Sequence, residues 1–340
     1  MVDASAPEPT DSLGRPFRDL RLSITDRCNF RCRYCMPREH FDKEFRFMPR
    51  AELLSFEEIT RVVGVLAPLG LEKIRITGGE PLLRGNLPEL VRMLRGNFAG
   101  DMAMTTNASR LKELARPLTD AGLSRVTVSM DALDEPTFRQ MTDSEYTAAD
   151  VLAGIEAAAA AGLTPLKLNC VVKRGSNEHA ILDLARHFRG TDHVVRFIEF
   201  MDVGMTNGWR LEHVVSGREI VELIAAEFKI EPVDPDYRGE VAARYRYCDG
   251  QGEFGVITSV TQPFCGDCTR LRLSAEGKLY TCLYAHIGLD LRALLRGGAS
   301  DAQLQSAIRD QWEARTDRYS EERSQRTRSL PRVEMSYIGG

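Results

Sequence analysis

The chain has 340 residues, a length that suits about two domains or one barrel with an appendage. Its 45 Lys and Arg residues against 49 Asp and Glu residues give a net charge of −4. No overall basic field therefore favours nucleic acid, and an anionic substrate must meet local arginines. No apolar run reaches the roughly 18 residues of a membrane span, and no signal peptide is recognisable. We expect a soluble, cytoplasmic protein without a membrane partner.

The N-terminal region is predicted to be a flexible tail over residues 1–15, because it is rich in Ala, Pro, Asp and Ser and lacks periodicity. An alternating segment, Leu20 to Thr25, then predicts a β-strand. Directly after this strand come Cys28, Cys32 and Cys35. These three thiols can turn onto one metal centre.

The spacing of this first triplet, C-x3-C-x2-C, indicates a metal site. Thiolates select iron-sulfur clusters, zinc or copper. A structural zinc or a closed four-iron cluster uses four protein ligands, whereas three cysteines leave one iron open to a substrate. Half of a zinc site, completed by a distant Cys or His, is the alternative. The spacing and the position after a strand favour the open cluster.

Strands and helices alternate over the next part of the chain. Ser55 and Glu58 form a capping box that begins a helix reaching about residue 69. Apolar strands are predicted near 73–77, 102–106, 124–130, 165–172 and 194–200, with helices near 87–95, 110–121, 147–161 and 177–189. With the first strand this makes six units. The fold class is therefore α/β, an incomplete (β/α)6 TIM-like barrel. A flat doubly wound sheet is the alternative, but no G-x-G-x-x-G turn follows a strand.

Basic residues recur within these apolar strands, at Arg21, Lys73, Arg75, Lys167 and Arg196. Each alone would normally reach solvent. Their repetition is costly unless the cations meet an anion, and a polyphosphate is the natural partner.

The alternation weakens beyond about residue 204. A helix near 217–228 and strands near 242–247 and 254–260 precede a second triplet, Cys265, Cys268 and Cys282. Arg270 and Arg272 point the same way beside it, which is typical of a substrate site. Six of the eight cysteines thus fall into two triplets, and this distribution is typical of metal ligands and not of disulfides.

The last part of the chain contains an amphipathic helix with Leu304, Ile308 and Trp312 on one face. Residues 317–332 are mostly charged and polar, which normally indicates a solvated tail.

Several motifs together resemble the radical S-adenosylmethionine superfamily. They are the first triplet with Tyr34 before its last cysteine, Gly78-Gly79-Glu80-Pro81, and Thr105-Thr106-Asn107-Ala108, in which Ala108 replaces a glycine of the superfamily motif. The resemblance implies a 4Fe-4S cluster whose fourth iron binds S-adenosylmethionine, held by Tyr34, Gly79, Ser129 and Met201. It also implies cleavage to a 5′-deoxyadenosyl radical that abstracts hydrogen from a substrate.

The two triplets, with the stretches 196–204, 257–260 and 337–340, resemble the GTP 3′,8-cyclase family of molybdenum cofactor biosynthesis over roughly residues 15–340. The resemblance implies that a second 4Fe-4S cluster binds guanine and that the C-terminal double glycine reaches into the active site. The residues it implies for GTP binding are Arg21, Lys73, Arg75, Thr105, Lys167, Arg196, Arg270, Leu271 and Arg272. Those it implies for catalysis are Arg270, Arg272, Gly339 and Gly340.

The chain is accordingly divided into a flexible tail (1–15), a radical S-adenosylmethionine barrel (16–204), an auxiliary-cluster and substrate-binding region (205–316) and a charged tail (317–340). The family resemblance also implies a homodimer, an electron donor such as flavodoxin or ferredoxin, and cyclic pyranopterin monophosphate synthase downstream. Two alternatives stay open. One is another radical S-adenosylmethionine enzyme with an auxiliary cluster, for example a peptide-modifying one, and the other is a noncatalytic electron-transfer protein.

Overall fold

The computed structural model describes residues 8–237, 239–324 and 330–339. Within them one sheet has twelve strands. The strands are β1 Asp19–Ser23, β2 Lys73–Thr77, β3 Asp101–Thr106, β4 Arg125–Ser129, β5 Lys167–Val172, β6 Val194–Glu199, β7 Ile230–Val233, β8 Ala243–Tyr247, β9 Glu253–Ile257, β10 Arg270–Leu273, β11 Lys278–Tyr280 and β12 Leu289–Asp290.

The centre of the sheet is parallel, in the order β10, β1, β2, β3, β4, β5, β6, β9. Antiparallel strands flank it, β11 and β12 on one side and β8 and β7 on the other. The six predicted strand-helix units are confirmed. The structure adds β9 and β10, which come from the second half of the chain and extend the parallel part at both of its edges.

Helices connect the parallel strands and cover one face of the sheet. The α-helices are α1 Phe56–Leu66, α2 Leu87–Asn97, α3 Leu111–Asp120, α4 Glu135–Thr142, α5 Ala148–Ala160, α6 Ala180–Phe188, α7 Gly217–Ala225, α8 Leu291–Arg296, α9 Asp301–Glu313 and α10 Met335–Ile338. Short 3-10 helices span Arg50–Glu52, Ala67–Leu69, Pro81–Leu83, Leu211–His213 and Cys265–Asp267. In the described residues, no helix combines the length and the apolar character needed to cross a bilayer.

Local sequence signals explain several boundaries. The predicted capping box is confirmed, since Ser55 Oγ accepts a hydrogen bond from the Glu58 amide and the Glu58 carboxylate accepts one from the Ser55 amide. Helix α4, which we did not predict, begins after the N-cap Asp134 with Pro136 in its first turn. Strand β7 was also missed. It contains Pro232 and lies at the sheet edge, where proline is tolerated.

The sheet is curved into a partial barrel. Flat parallel strands lie about 4.8 Å apart, so β10 and β9 would be separated by about 34 Å. Instead, Arg272 of β10 and Ile257 of β9 line the same cavity. The edge strands β7 and β12 do not pair with each other, so the barrel is open on one side. The incomplete barrel inferred from the sequence is thus confirmed, and the sheet runs continuously across residue 204. The domain boundary at that position stays a prediction.

Strand alternation divides the apolar core from the barrel interior. Leu20, Leu22, Ile74 and Ile76 are fully buried in the core with the helices. The residues between them on β1 and β2 share the other face and include Arg21 and Arg75 of the cavity.

Residues 8–15 differ from the flexible tail that the sequence indicates. Trp312 of α9 is fully buried, packs edge-on against Phe17 at 5.5 Å and donates its Nε1 hydrogen to the Arg15 carbonyl at 2.9 Å. Asp11 and Arg15 are also buried, with Arg15 Nε 2.6 Å from Asp11 Oδ2. Composition alone suggested disorder because it cannot show that Asp11 and Arg15 will pair with each other while buried near a helix.

Ala108 tests the turn after β3, because it adopts a left-handed φ of 61° while buried against Gly154 of α5. We expect Ala108→Gly to change the free energy of unfolding by less than about 1 kcal/mol. Relief of left-handed strain, about 1 kcal/mol, offsets the loss of one buried methyl group, about 0.8 kcal/mol. Ala108→Val should cost at least about 2 kcal/mol, because a β-branched residue is far less tolerated there.

Urea titration followed by circular dichroism measures these changes. Ala121→Gly is the control, since Ala121 is buried with a right-handed φ of −78° and gains no strain relief. A destabilisation by Ala108→Gly equal to that of Ala121→Gly would contradict the interpretation.

Candidate active site

The loop after β1 folds the first cysteine triplet around its own backbone. Arg31 Nη1 donates to the carbonyl oxygens of Cys28 and Phe30, each at 2.8 Å. The amides of Cys35 and Met36 both donate to the Cys32 carbonyl. The three thiols are half-buried and close enough for their charges to interact.

The electrostatics of this triplet favour a cationic occupant. Burial, followed by Glu80, raises the pKa of Cys28 to about 12. Burial, followed by Cys28 and Glu334, raises that of Cys35 to about 12, and burial raises that of Cys32 well above its usual range. Three neighbouring thiols therefore do not ionise together alone, but positive iron centres stabilise thiolates. The residues fit an iron-sulfur cluster.

The Gly78-Gly79-Glu80-Pro81 turn packs directly on this cysteine loop. The Gly79 amide donates to the Thr25 carbonyl and the Glu80 amide to the Arg27 carbonyl, both at 2.8 Å. A Cβ added to Gly79 would lie 2.3 Å from the Arg27 oxygen. The family resemblance implies that Gly79 contacts S-adenosylmethionine. The structure shows close approach to another backbone segment, so any cofactor contact of Gly79 stays a prediction.

Glu80 braces the turn instead of pointing a free carboxylate at a ligand. It is 1% exposed, and it accepts hydrogen bonds from Thr106 Oγ1 and the Asn107 amide at 2.7 Å and from the Leu82 amide at 2.9 Å. Burial raises its pKa to about 7. Glu80 thereby links the turn after β2 to the turn after β3.

The other residues assigned to S-adenosylmethionine lie at strand ends. Tyr34 donates its hydroxyl hydrogen to Asp131 Oδ2 at 2.8 Å, so a cofactor would meet its ring or backbone. Ser129 ends β4, and Met201 follows β6 and lines the central cavity. The roles of these residues stay predictions.

A cavity of about 1010 Å³, including the space at its mouth, occupies the barrel interior. Among the described residues, six guanidinium groups and one carboxylate line it, and the carboxylate belongs to Asp317. The arginines are Arg21, Arg75, Arg196, Arg270, Arg272 and Arg315. A cavity of this charge suits a polyanion.

Neutral oxygens hold two of these arginines in place. Arg75 Nη1 donates to Thr127 Oγ1 at 2.9 Å and to Thr105 Oγ1 at 3.3 Å. Arg196 Nε donates to Asn169 Oδ1 at 3.0 Å. Burial lowers the pKa of Arg196 to about 9, and Arg75 adds to this effect. Until an anion binds, the charged forms of the Arg75 and Arg196 guanidinium groups are thus less favourable than they would be in water.

Three residues assigned to GTP lie outside the cavity lining. Lys73 Nζ lies 3.7 Å from Asp101 Oδ2 and 5.2 Å from the ring centre of Tyr237, closer to the beginning of the strands. Lys167 shares a face with Asn169 on β5 but lies two residues nearer the beginning of the strand. Leu271 is fully buried in the core, so only its backbone could face the cavity. Their roles stay predictions.

The second triplet lines the same cavity. Cys265 begins a 3-10 turn, Cys268 ends it and Cys282 follows β11. Burial alone would raise the pKa of Cys268, but Arg270 and Arg315 lower it to about 6. Arg270 Nη2 lies 3.3 Å from Cys268 Sγ. Nearby guanidinium groups thus prepare a thiolate ligand.

Both triplets offer three thiolates and fit four-iron clusters with one open iron. In the part of the chain that the structure describes, no three His, Cys, Asp or Glu side chains converge as ligands of a single ion do. A four-iron cluster binds each thiolate through a different iron, so its ligands need not converge on one atom.

The C-terminal segment reaches the same site. Arg272 Nη1 donates to the Gly339 carbonyl. Gly339 has a φ of 70°, and an added Cβ would lie 2.1 Å from Thr77 Cγ2, so only glycine fits between β2 and the cavity. The placement agrees with a role for Gly339 at the site, which stays a prediction. Gly340 lies outside the described residues.

Asp202, directly after β6, anchors the charged tail. It is 2% exposed and accepts hydrogen bonds from Tyr319 Oη at 2.8 Å, Arg323 Nε at 3.0 Å and Arg332 Nη1 at 3.2 Å. Glu334 adds a second anchor, accepting from the Met205 amide at 2.8 Å. The described part of residues 317–339 is therefore attached to the barrel mouth, unlike a solvated tail.

Our sequence analysis missed Arg315 and did not assign Asn169 to the substrate. Arg315 continues the buried stripe of Leu304, Ile308 and Trp312 on α9. A cation at the next position of an apolar stripe was the available signal. Asn169 lies two residues after Lys167 on the same face of β5. Its role in orienting an arginine of the cavity is visible only from the hydrogen bond that it accepts from Arg196.

Comparison with known proteins supports both halves of this description. The radical SAM superfamily profile matches residues 22–188, and the Molybdenum Cofactor Synthesis C profile matches residues 193–321. The chain is 52% identical to a GTP 3′,8-cyclase of Acidothermus cellulolyticus, covering 97% of this chain and 98% of that protein. It is 48% identical to one of Xanthomonas campestris pv. campestris, covering 100% of both.

Among solved structures, the chain resembles Streptococcus suis SuiB bound to S-adenosylmethionine. The TM-score is 0.61 at 14% identity, covering 86% of this chain and 68% of that chain. A second SuiB structure, bound to precursor peptide SuiA, gives a TM-score of 0.59. At this identity the likeness shows a shared fold only.

The Asp202 anchor generates a prediction about the tail. We expect Asp202→Asn to raise the rate of tryptic cleavage after Arg323 and Arg332 at least tenfold. A neutral amide holds two buried guanidinium groups less well, and each ~1.4 kcal/mol lost raises the open population tenfold. Mass spectrometry of a timed digest measures the rate. Asp192→Asn, at an exposed site, is the control, and equal rates in both variants would contradict the anchor.

Proposed function

Because the chain belongs to the GTP 3′,8-cyclase family of radical S-adenosylmethionine enzymes, we propose that it converts GTP to (8S)-3′,8-cyclo-7,8-dihydroguanosine 5′-triphosphate in molybdenum cofactor biosynthesis. As a member of that family it is an enzyme that carries two 4Fe-4S clusters and uses S-adenosylmethionine. The observation that carries the proposal is a single cavity in which six guanidinium groups and three cysteines meet.

The two halves of the cavity suit the two halves of GTP. Arg21, Arg75 and Arg196 offer cations to the triphosphate, with Lys73 at the beginning of the strand that carries Arg75 and Lys167 on β5, which pairs with the strand of Arg196. The second triplet would hold the cluster whose open iron meets the guanine. Arg270, stacked 5.1 Å from the Phe264 ring, and Arg272 lie between these regions and fix the orientation of the nucleotide.

Cys28, Cys32 and Cys35 would hold the first cluster, and S-adenosylmethionine bound there would supply the radical chemistry needed for hydrogen abstraction from the substrate ribose. The chain's own residues determine which hydrogen is exposed. We assign cofactor contacts to Tyr34, Gly79, Ser129 and Met201, which lie on the loops after β1, β2, β4 and β6. Arg272 and Gly339 lie together at the ends of β1 and β2, where they help to exclude water.

A peptide-modifying enzyme is the second candidate, and the likeness to SuiB concerns the fold alone. The cationic lining disfavours a peptide substrate, since a peptide without many acidic groups would not require six arginines in its binding site. A noncatalytic electron-transfer protein is disfavoured as well, because it would not require a substrate cavity with this lining.

Partners and location follow from the family in our proposal. The electron donor is flavodoxin or ferredoxin, the product passes to cyclic pyranopterin monophosphate synthase, and the protein acts in the cytoplasm as a homodimer. Nucleic acid and membrane have no role in it, consistent with the net charge of −4.

Anaerobic incubation of the reconstituted protein with S-adenosylmethionine, GTP and dithionite, followed by mass spectrometry, tests the function. We expect 5′-deoxyadenosine together with an isomer of GTP. If 5′-deoxyadenosine forms without that isomer, the substrate is wrong. If a cluster-replete sample forms neither, the catalytic proposal fails.

The nucleotide assignment predicts the behaviour of Arg270→Ala/Arg272→Ala. We expect GTP affinity to fall at least tenfold, because each charge-assisted hydrogen bond contributes about 1.5–3 kcal/mol. Uncoupled 5′-deoxyadenosine formation should continue, since the first cluster is untouched. Calorimetric titration and product analysis measure both. Arg218→Ala, on the exposed face of α7, is the control, and unchanged GTP affinity in the double variant would refute the assignment.

Lys167 predicts a pH dependence of GTP binding. Burial, followed by Arg196, lowers its pKa to about 8. Below pH 8 it carries the charge that attracts a phosphate, whereas above pH 8 the free protein must take up a proton on binding. Affinity should therefore fall by up to about tenfold from pH 7 to pH 9.

Calorimetry of Lys167 variants isolates this effect. Lys167→Arg stays charged and should show a flatter profile, and Lys167→Met should be weaker at pH 7 and equally flat. Profiles that are parallel in all three proteins would show that Lys167 does not contact the triphosphate.

A further inference from the structure

Three charged residues from opposite ends of the chain form a buried group behind the second triplet. Arg15 Nε lies 2.6 Å and Arg315 Nη1 3.3 Å from the same oxygen, Oδ2 of Asp11. The side chains of Asp11, Arg15 and Arg315 are at most 2% exposed. We call these three residues the charge clamp.

The charge clamp holds the backbone of two cysteines. Arg15 Nη1 donates to the Cys265 carbonyl at 2.6 Å, and Arg315 Nη1 donates to the Cys268 carbonyl at 2.8 Å. Arg15 Nη1 also reaches the Asp317 carbonyl at 3.0 Å. The turn that carries both thiols is thus fixed by guanidinium groups outside it.

The charges of the clamp do not cancel. One carboxylate faces two guanidinium groups, which leaves one positive charge in a buried place. Arg15 Nη2 and Arg315 Nε are also buried, and neither has a hydrogen-bond acceptor within residues 8–237, 239–324 and 330–339. Asp317 Oδ2, 3.6 Å from Arg315 Nε, adds a second carboxylate, but its side chain is 32% exposed and accepts from Thr281 Oγ1 at 2.6 Å, so solvent screens its charge more than the three buried charges of the clamp. A buried net charge with unsatisfied N–H groups is costly unless an anion lies nearby.

An iron-sulfur cluster would be that anion. An oxidised four-iron core bound by three thiolates carries one net negative charge, and reduction adds a second. The single net positive charge of the clamp therefore balances the charge of the oxidised cluster, and it stabilises the more negative reduced cluster still more. Nearby positive charge raises the reduction potential of a cluster.

We propose that Asp11, Arg15 and Arg315 position the second cysteine triplet and set the reduction potential of the cluster that it holds. The inference deepens the proposed function, because it rests on a cluster at Cys265, Cys268 and Cys282. It makes the N-terminal segment part of the cluster site. The three are positioning residues, although Arg315 also lines the cavity.

Potentiometric titration followed by electron paramagnetic resonance tests the inference on the full chain. The background is Cys28→Ala/Cys32→Ala/Cys35→Ala, so that only the second cluster gives a signal. Arg315→Gln removes a positive charge and should lower the ratio of reduced to oxidised cluster about tenfold at a fixed potential, which is 59 mV for one electron. Asp11→Asn removes the negative charge and should move the midpoint potential in the opposite direction.

Two further variants separate charge from structure. Arg315→Lys keeps the charge and should keep the potential near that of the background protein. Arg95→Gln is the matched control, because Arg95 also donates to backbone carbonyls, those of Gly122, Phe98 and Gly100, far along the chain from either triplet. It should lower stability without changing the potential. Iron content per chain reports the positioning role.

The outcomes distinguish the two proposals. If the background protein takes up no second cluster, the proposed function itself fails. If the cluster forms and both Arg315→Gln and Asp11→Asn have the same reduction potential as the background protein, the inference alone is overturned. If Arg315→Gln loses iron while Arg95→Gln keeps it, positioning is supported, and Asp11→Asn then decides the effect on potential.

Discussion

Mutual repulsion among the guanidinium groups inside the barrel is the constraint on which this structure depends. Arg21, Arg75, Arg196, Arg270 and Arg272 are drawn from strands at both sides of the parallel sheet. Burial lowers the pKa of Arg21, and Arg75 and Arg272 lower it further. Threonine and asparagine oxygens orient Arg75 and Arg196 without neutralising them. The empty cavity is thus electrostatically unfavourable, and binding a polyanion releases this stored repulsion.

Periodicity explains why much of the fold and part of the site could be predicted. Because residues i and i+2 share a face of a strand, the alternation that predicts β1 and β2 also separates Arg21 and Arg75, which line the cavity, from the apolar residues between them. Lys73 shares a face with Arg75, but it lies at the beginning of β2 near Asp101, and its role stays a prediction. Gly79 was linked to S-adenosylmethionine by family resemblance, and its packing against the Arg27 carbonyl could not be read from the sequence.

Long-range contacts account for what the sequence could not show. Arg15 and Arg315 are 300 positions apart, and no local pattern indicates that both hold the same cysteine turn. Asp202 followed a recognised strand, but the three tail residues that it binds lie more than 100 positions later. Both ends of the chain thereby become parts of the site. Composition described these ends as loose because composition ignores tertiary partners.

The place of β10 has a consequence for how the protein is made. Strand β10 pairs with β1, although about 250 residues separate them, and β9 covers β6 in the same way. A nascent chain that has completed only residues 16–204 therefore exposes the edges of both β1 and β6. Unpaired parallel edges invite association with other chains. The first cysteine loop emerges from the ribosome long before β9 and β10 cover these edges, so protection of the two edges during synthesis is as much a requirement of this fold as supply of iron.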